Sequence, residues 1–315
     1  MLNTIRKEGF FVLSTELLEE FILDCQIRNL SKRTIETYEI NINIFWRWVN
    51  QSCDFQEVSE IKKIHFKRFV LSMLDKGYKE TYINTILKAL KAFYYYLFSE
   101  EYIKENCITN IKLLKEPTMV IETFNDDEIK ILLSYFNKKD YLSIRNRLIV
   151  YMLLDTGLRC SELRSIKVNH VYDNYLKVCG KGNKWRVIPT SKQLQKEILK
   201  YRKARDSYIK KIRSNDIGDT LFLTKKGNNI STNATIELIF KEITVNTNIR
   251  DTIRCSPHTC RHWFAKTSIK NGQDIYTLSK ILGHSNIKIT QRYLESMSSD
   301  EIIQKGLLTT PLSVL

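Results

Sequence analysis

Four side chains in the last third of the sequence could act together on one anion. His258 and Arg261 lie three residues apart, His284 directly follows Leu282 and Gly283, and Tyr293 comes nine residues later. Such a set suits a phosphodiester: two donors for its non-bridging oxygens, an imidazole to handle a proton, and a phenol to attack phosphorus. Far upstream, Arg159 in the run Asp155-Thr156-Gly157-Leu158-Arg159-Cys160-Ser161-Glu162-Leu163 reads as a further member. Each residue alone has a plainer explanation: a packed histidine, a core tyrosine, an arginine paired with Glu162. The order and spacing of the whole set carry the inference.

Particular elements must position these groups. Ser256 and Pro257 read as a helix cap and first helical residue, which puts His258 and Arg261 on one face of the first turns. A helix N-terminus favours a bound anion. Gly283 is the left-handed stop of a later helix, and Tyr293 is expected on the helix after it. An apolar stretch over 148–154 is stopped by Thr156 and Gly157. Between 166 and 189 the periodicity switches to short β-type runs, 175–178 and 185–188, flanking a hairpin turn at Gly180-Lys181-Gly182-Asn183. Charged helix is expected over 192–213, and after the Leu221-Phe222-Leu223 segment the chain reads as helical almost to its end.

The first part, 1–115, reads as a small helical domain. Ser14 is placed as the cap of a helix bearing Leu17, Leu18, Phe21 and Ile22, and Ser31 as the cap of a second bearing Ile35, Tyr38, Ile42, Phe45, Trp46 and Val49. A third helix is expected from about Ser59 to Asp75, ended at Gly77, and a fourth over 79–99. Lys32, Arg33, Thr34, Lys67, Arg68, Lys79, Thr81, Lys88 and Lys91 are candidate phosphate grips on these helices, or equally ordinary solvated faces. A linker over 116–122 contains Pro117, which cannot continue a helix. A second domain, 123–315, then opens at Asn125 with Glu128 three positions on, a capping pattern, followed by helix over 127–136.

The bulk composition agrees with this outline. A length of 315 residues accommodates two domains, and 43% hydrophobic content is that of a globular chain. With only 4 prolines and 10 glycines, the chain is expected to be mainly α. No apolar run reaches the ~20 residues of a membrane span, and the N-terminus lacks a signal-peptide h-region. A formal net charge of +15 draws polyanions, although a lysine-rich solvated surface would carry the same sign. The 7 cysteines form no CxxC pair and suit reduced thiols in a cytoplasmic protein. Cys255, His258, Cys260 and His262 fall within eight residues, yet their spacing fits no usual zinc site, so no metal is expected.

Taken together, these motifs resemble the tyrosine recombinase (phage integrase) family, most nearly its compact Xer-like and mobile-element members. The matches are Thr156-Gly157-Leu158-Arg159 with Glu162-Leu163, the hairpin from Gly180 to Pro189 with Lys181, Lys184 and Arg186, then His258 with Arg261 and His262, Leu282-Gly283-His284, and Tyr293. Leu30-Ser31, Thr34-Ile35 and Tyr38 resemble the start of the family's core-binding domain. The resemblance implies an N-terminal helical, SAM-like core-binding domain and an α+β catalytic domain with a small antiparallel sheet.

It also implies roles. Tyr293 would form a 3′-phosphotyrosyl bond, Arg159 and Arg261 would bind the phosphate oxygens, and Lys181 would protonate the leaving 5′-oxygen, with Lys184 on the same hairpin as the alternative. His258 would assist proton transfer, His284 would hydrogen-bond the phosphate, and Glu162 would support the site from behind. Lys184 and Arg186 join the DNA-contact candidates. No cofactor is implied. Implied partners are double-stranded DNA with inverted-repeat core sites and further copies of the chain, as a tetramer on two sites, or a related recombinase. The tail beyond Tyr293, with Ile302, Ile303, Leu307 and Leu308, could dock on a neighbour or cap its own subunit. The expected location is cytoplasmic and nucleoid-associated. Two other readings share features of the sequence: a type IB topoisomerase and a DNA-binding regulator with an inactive site.

Overall fold

Helices account for nearly all the regular structure of the computed structural model, which describes residues 2–53, 55, 57–117, 121–180, 182–212, 217–294, 303 and 307, with only the backbone of 2–14. The described chain forms two compact units, Met1–Thr118 and Met119–Leu315.

In the first unit, α1 (Leu2–Ile27), α2 (Lys32–Ser52), α3 (Lys63–Asp75) and α4 (Glu80–Ser99) follow from amphipathic spacing and their caps. The Ser31 hydroxyl accepts from the Thr34 N–H, satisfying one of the free donors at the start of α2. Ile42, Phe45, Trp46 and Val49 of α2 are buried with Phe66 and Phe69 of α3 and Leu87, Leu90 and Phe93 of α4. Phe45 stacks on Phe66 with centroids 4.9 Å apart, and Trp46 meets Phe93 edge-on at 5.2 Å. Two sequence expectations need correcting here. Helix α1 runs straight through Ser14, so no helix starts there: the serine sits inside a helical run that begins at Leu2. The third helix starts at Lys63, not near Ser59. A 3-10 turn at Val58–Glu60 precedes it and uses the Glu60 carboxylate to accept from the Glu57 N–H.

The second unit is built around α6 (Tyr141–Thr156), which follows α5 (Asp126–Ser134). Asn125 and Glu128 form a reciprocal capping box, each accepting from the other's N–H at 2.9 Å, so α5 begins at Asp126 and ends two residues earlier than the apolar pattern suggests. Leu148, Ile149, Val150, Met152 and Leu153 of α6 are all buried. A helix apolar all round must lie inside a core, and α6 packs against α8 (Lys192–Lys211) and α10 (Pro257–Lys270).

Between α7 (Cys160–Ser165) and α8, the strands β1 (Tyr175–Cys179) and β2 (Trp185–Pro189) pair antiparallel, with Tyr175 opposite Pro189 and Cys179 opposite Trp185. Gly182 and Asn183 take the positive φ values, 74° and 57°, that a tight hairpin turn requires. Leu221, Phe222 and Leu223 are buried without forming a named strand. The Leu221 N–H donates to the Ile166 carbonyl at 2.6 Å, the Tyr201 hydroxyl and Arg205 donate to the Leu221 carbonyl at 2.8 Å and 3.0 Å, and Arg145 donates to the Leu223 carbonyl at 2.8 Å. Then come α9 (Ala234–Asn246), α10, α11 (Ile275–Leu282) and the short α12 (Lys288–Gln291). Tyr293 lies in the turn just after α12, not within a helix. Arg213, Lys181 and most of the tail, Ile302 and Leu308 included, lie outside the described residues. Ile303 and Leu307 are exposed. No described helix is long and apolar enough to cross a membrane.

Candidate active site

Three arginines converge where α6 and α11 end. The last carbonyls of a helix have no partner within it and carry its partial negative charge. Here guanidiniums fill that need. Arg261 donates from Nη1 to the Gly157 carbonyl at 2.7 Å and from Nη2 to that of Leu282 at 2.8 Å. Arg159 donates to the Gly283 carbonyl at 3.0 Å, and Arg186 donates to that of Ile281 at 2.7 Å.

Both helix ends depend on glycine. Gly157 and Gly283 stand at φ 60° and 65°, the left-handed region where a side chain is strained. A Cβ on Gly157 would meet Phe264 Cδ1 at 2.5 Å and Leu282 Cδ2 at 2.9 Å, and one on Gly283 would meet the Arg186 guanidinium at 3.0 Å. Gly157→Ala is therefore expected to lower stability by about 2–5 kcal/mol, from the left-handed backbone and the overpacking combined. Urea unfolding checks this, and an unchanged midpoint would contradict the tight approach of α6, α10 and α11.

Mutual repulsion among these cations is offset by Glu162, which is only 4% exposed. Its Oε1 accepts from Arg159 Nη1 and Arg186 Nη1, each at 2.9 Å, and its Oε2 accepts from Arg186 Nη2 and the Arg159 N–H, each at 2.8 Å. Burial pushes the carboxyl up, but the hydrogen bond and charge of Arg186, then the bonds of Arg159, outweigh it and hold Glu162 below the usual carboxylate range. Arg186 is thereby corrected as a candidate DNA contact. Its side chain is 11% exposed and turned inward on Glu162 and the α11 carbonyl. Arg159 keeps 39% of its side chain exposed, open to an incoming anion.

The histidines are held neutral. An arginine can only donate, so His284 Nε2 accepts from Arg261 Nη2 at 2.9 Å, and Nδ1 carries the proton toward the Thr290 hydroxyl at 2.8 Å. Burial, then the charges of Arg261, Arg159 and Arg186, lower His284 to about 4. Both of its nitrogens are engaged, so in this arrangement it orients Arg261. Partial desolvation, followed by Arg261, Arg254 and Arg159, also lowers His258, which keeps one side open to solvent in the first turn of α10 where the Ser256 cap and Pro257 place it. Burial, then Arg159, push Arg261 down to about 10, leaving it charged at neutral pH.

Tyr293 is 3% exposed and packs with Ala265, Ile269, Leu278 and Leu282. Burial raises its phenol above the ordinary value against the opposing charges of Arg261, Arg292 and Arg159. The hydroxyl stands 2.9 Å from His262 Nδ1. Sequence reasoning gives His262 no role beyond a neighbour of the histidine-arginine motif and an unsuitable zinc ligand. Its spacing of four from His258, one helical turn on the same face, is the available signal. The two rings lie 4.2 Å apart, edge to face.

Arg159, Arg261, His284 and Tyr293 are thus brought together, with His258 joined to them through His262. Lys181, the expected general acid, lies outside the described residues. Lys184 is exposed, and its carbonyl accepts from the Gly180 N–H at 2.9 Å to close the hairpin. No group of three or more metal-ligating side chains occurs among the described residues.

In the first unit, Lys32, Arg33, Lys67, Arg68, Lys79, Thr81 and Lys88 are exposed. Thr34 is half-buried, its hydroxyl 2.8 Å from that of Ser31, and Lys91 is half-buried and donates to the Thr109 carbonyl at 3.2 Å. These two are committed locally and do not stand free, in contrast to the expectation from sequence.

A buried tyrosine set among arginines and histidines can hold an anion such as a phosphodiester beside a phenol. Residues 122–299 match the phage integrase family, and residues 17–104 match the phage integrase N-terminal SAM-like domain. The chain is 30% identical to the tyrosine recombinase XerD of Oceanobacillus iheyensis, across 88% of this chain and 92% of that protein. It is 28% identical to the tyrosine recombinase XerC of Listeria welshimeri, across 84% and 88%. In fold it is similar to the XerH recombinase crystallised on its difH substrate (TM-score 0.71, 20% identity, covering 90% of this chain and 82% of that one). The Tn1549 transposon integrase bound to transposon-end DNA is also similar (TM-score 0.69, 19% identity, 93% and 99%). The chain belongs to the phage integrase family of tyrosine recombinases, site-specific enzymes that cleave and rejoin DNA.

Proposed function

We propose that Tyr293 is the nucleophile, attacking the scissile phosphate to form a 3′-phosphotyrosyl bond and release a 5′-hydroxyl. The observation that carries this reading is the Tyr293 hydroxyl buried within reach of the charges of Arg261 and Arg159. A phenol of ordinary pKa ~10 is a poor nucleophile at neutral pH and needs cations and a proton acceptor around it. Arg159 and Arg261 bind the non-bridging oxygens and stabilise the added charge of the pentacovalent transition state. His284 steadies Arg261 and can turn to the phosphate, and His258 assists proton transfer at the entrance. Lys181 protonates the departing 5′-oxygen, with Lys184 on the same hairpin as the substitute, so the oxygen does not leave as an alkoxide.

No step in this scheme calls for a metal or nucleotide, since side chains supply the charge and the phosphotyrosyl bond conserves the phosphodiester energy. The unit 1–115 acts as the core-binding domain on double-stranded DNA, through Lys32, Arg33, Lys67, Arg68, Lys79, Thr81 and Lys88. The segment 116–122 serves as the linker and 123–315 as the catalytic domain. The working assembly is a tetramer, of this chain or with a related recombinase, on two inverted-repeat sites in the cytoplasm at the nucleoid.

One assay tests the core of this reading. The protein is incubated in EDTA with a nicked duplex whose cleaved end diffuses away. A covalent protein–DNA adduct is expected, at a rate unchanged by the chelator. Loss of the adduct in EDTA would reject the side-chain mechanism. Strand exchange between two such sites separates recombination from simple relaxation by a topoisomerase.

A further inference from the structure

We propose that His262 is the general base of the reaction, taking the phenol proton of Tyr293 as its oxygen attacks phosphorus. This rests on Tyr293 being the nucleophile. His262 Nδ1 lies 2.9 Å from the Tyr293 hydroxyl, hydrogen-bonding distance to the reacting atom, with the ring centroids 5.6 Å apart.

Both partners are held by rigid structure. His262 stands in the second turn of α10, and the Tyr293 N–H donates at 3.1 Å to the carbonyl of Thr290, a fully buried residue whose hydroxyl engages His284. Three other groups of the site are less suited to take that proton. Arg159 and Arg261 are donors only. His284 already engages Arg261 through one nitrogen and Thr290 through the other. His262 itself is neutral: burial, then His258, Arg261 and Arg292, lower it to about 4, which leaves a lone pair for the phenol. Arg261, one of the charges that lower it, is also a proposed phosphate ligand, and an arriving anion offsets that charge, raising the basicity of His262 as the transition state gathers charge.

The step balances without any further reactant. The Tyr293 oxygen–phosphorus bond forms as its proton moves to His262 Nδ1. The bond from phosphorus to the 5′-oxygen breaks, and that oxygen leaves with the electron pair and takes a proton from the hairpin lysine. In rejoining, the 5′-hydroxyl attacks and gives its proton back to the hairpin lysine, while protonated His262 returns its proton to the departing phenolate.

The test uses the full chain on a nicked duplex, under single turnover, with DNA affinity measured in parallel. His262→Asn places an amide near the position of Nδ1 and keeps a hydrogen-bonding partner for Tyr293 that cannot accept a proton, and His262→Ala removes both. Each is expected to slow cleavage by roughly 10²–10⁴-fold at unchanged DNA affinity, the usual worth of a general base. A difluorotyrosine at position 293, whose phenol is more acidic, should restore much of the rate in His262→Ala. A sulfur in place of the bridging 5′-oxygen, which relieves only the leaving group, should not.

Wild-type speed in His262→Asn would reduce the residue to a positioning role and overturn the proposal. Faster cleavage in His262→Ala would overturn it too, revealing a contact that restrains the tyrosine. Rescue by sulfur but not by fluorine would move the residue to the leaving-group side. An adduct that persists in Tyr293→Phe would instead refute the nucleophile assignment on which the proposal stands.

Discussion

Tyr293→Phe is expected to form no covalent adduct on a nicked duplex at any time of incubation, while binding that duplex as tightly as the wild-type chain. Phenylalanine lacks the one atom that can bond to phosphorus, so the effect is a complete loss, not a slowing. The fold should tolerate the change. The phenyl ring fills the same pocket among Ala265, Ile269, Leu278 and Leu282, and deleting the hydroxyl forfeits a hydrogen bond to half-buried His262 worth about 1 kcal/mol net. That loss is small beside a typical stability of about 5–15 kcal/mol. Denaturing gel electrophoresis of the reaction, with a parallel binding titration, measures both halves. An adduct from the phenylalanine variant would move the nucleophile elsewhere in the chain.

Most of the site is legible in the sequence because its residues sit at positions where local backbone rules operate. Gly157 and Gly283 are helix stops, and a stop fixes the course of the next residue or two, so Arg159 and His284 fall where the pattern places them. His258 and Arg261 come directly after a serine-proline helix start, which fixes them in the same way.

Arg186 departs from its expected role because charge alone suggests a DNA contact, whereas strand register decides its direction. Ile188 is buried, and residues two apart on a strand share a face, so Arg186 has to point inward while Trp185 and Val187 point out. The role of His262 is hidden for a different reason: its partner lies 31 residues away across a tertiary contact that no local pattern encodes. In the first unit the helix ends that slip, at Ser14 and Ser59, are those where a capping-type residue sits inside a run that the helix or a 3-10 turn absorbs.

Glu162 should prove as important to the fold as to the chemistry. Its carboxylate and the Arg186 guanidinium are 5% and 11% exposed, so removing one partner strands the other in a poorly hydrated place, a loss of about 3–5 kcal/mol. The pair with Arg159 adds less, because that side chain is 39% exposed and water screens it. Glu162→Gln is therefore expected to lower the urea midpoint sharply and to cut cleavage by on the order of 10²-fold, since a neutral amide with one acceptor oxygen must serve two guanidiniums and Arg159 is held mainly by the Gly283 carbonyl.

The sign of the pH effect is set by the carboxyl's depressed pKa. Its stabilising contribution is complete above the ordinary value of 4.5 and is lost as pH falls through the lower folded value, so acid unfolding of the wild-type chain should steepen below about 4.5 and that component should vanish in Glu162→Gln. Adding Arg186→Met to that variant separates the two roles. A methionine removes the stranded charge and should recover much of the stability, whereas cleavage should stay low because Arg159 is still unanchored. Recovery of both together would mean that Glu162 serves the reaction only by keeping the protein folded.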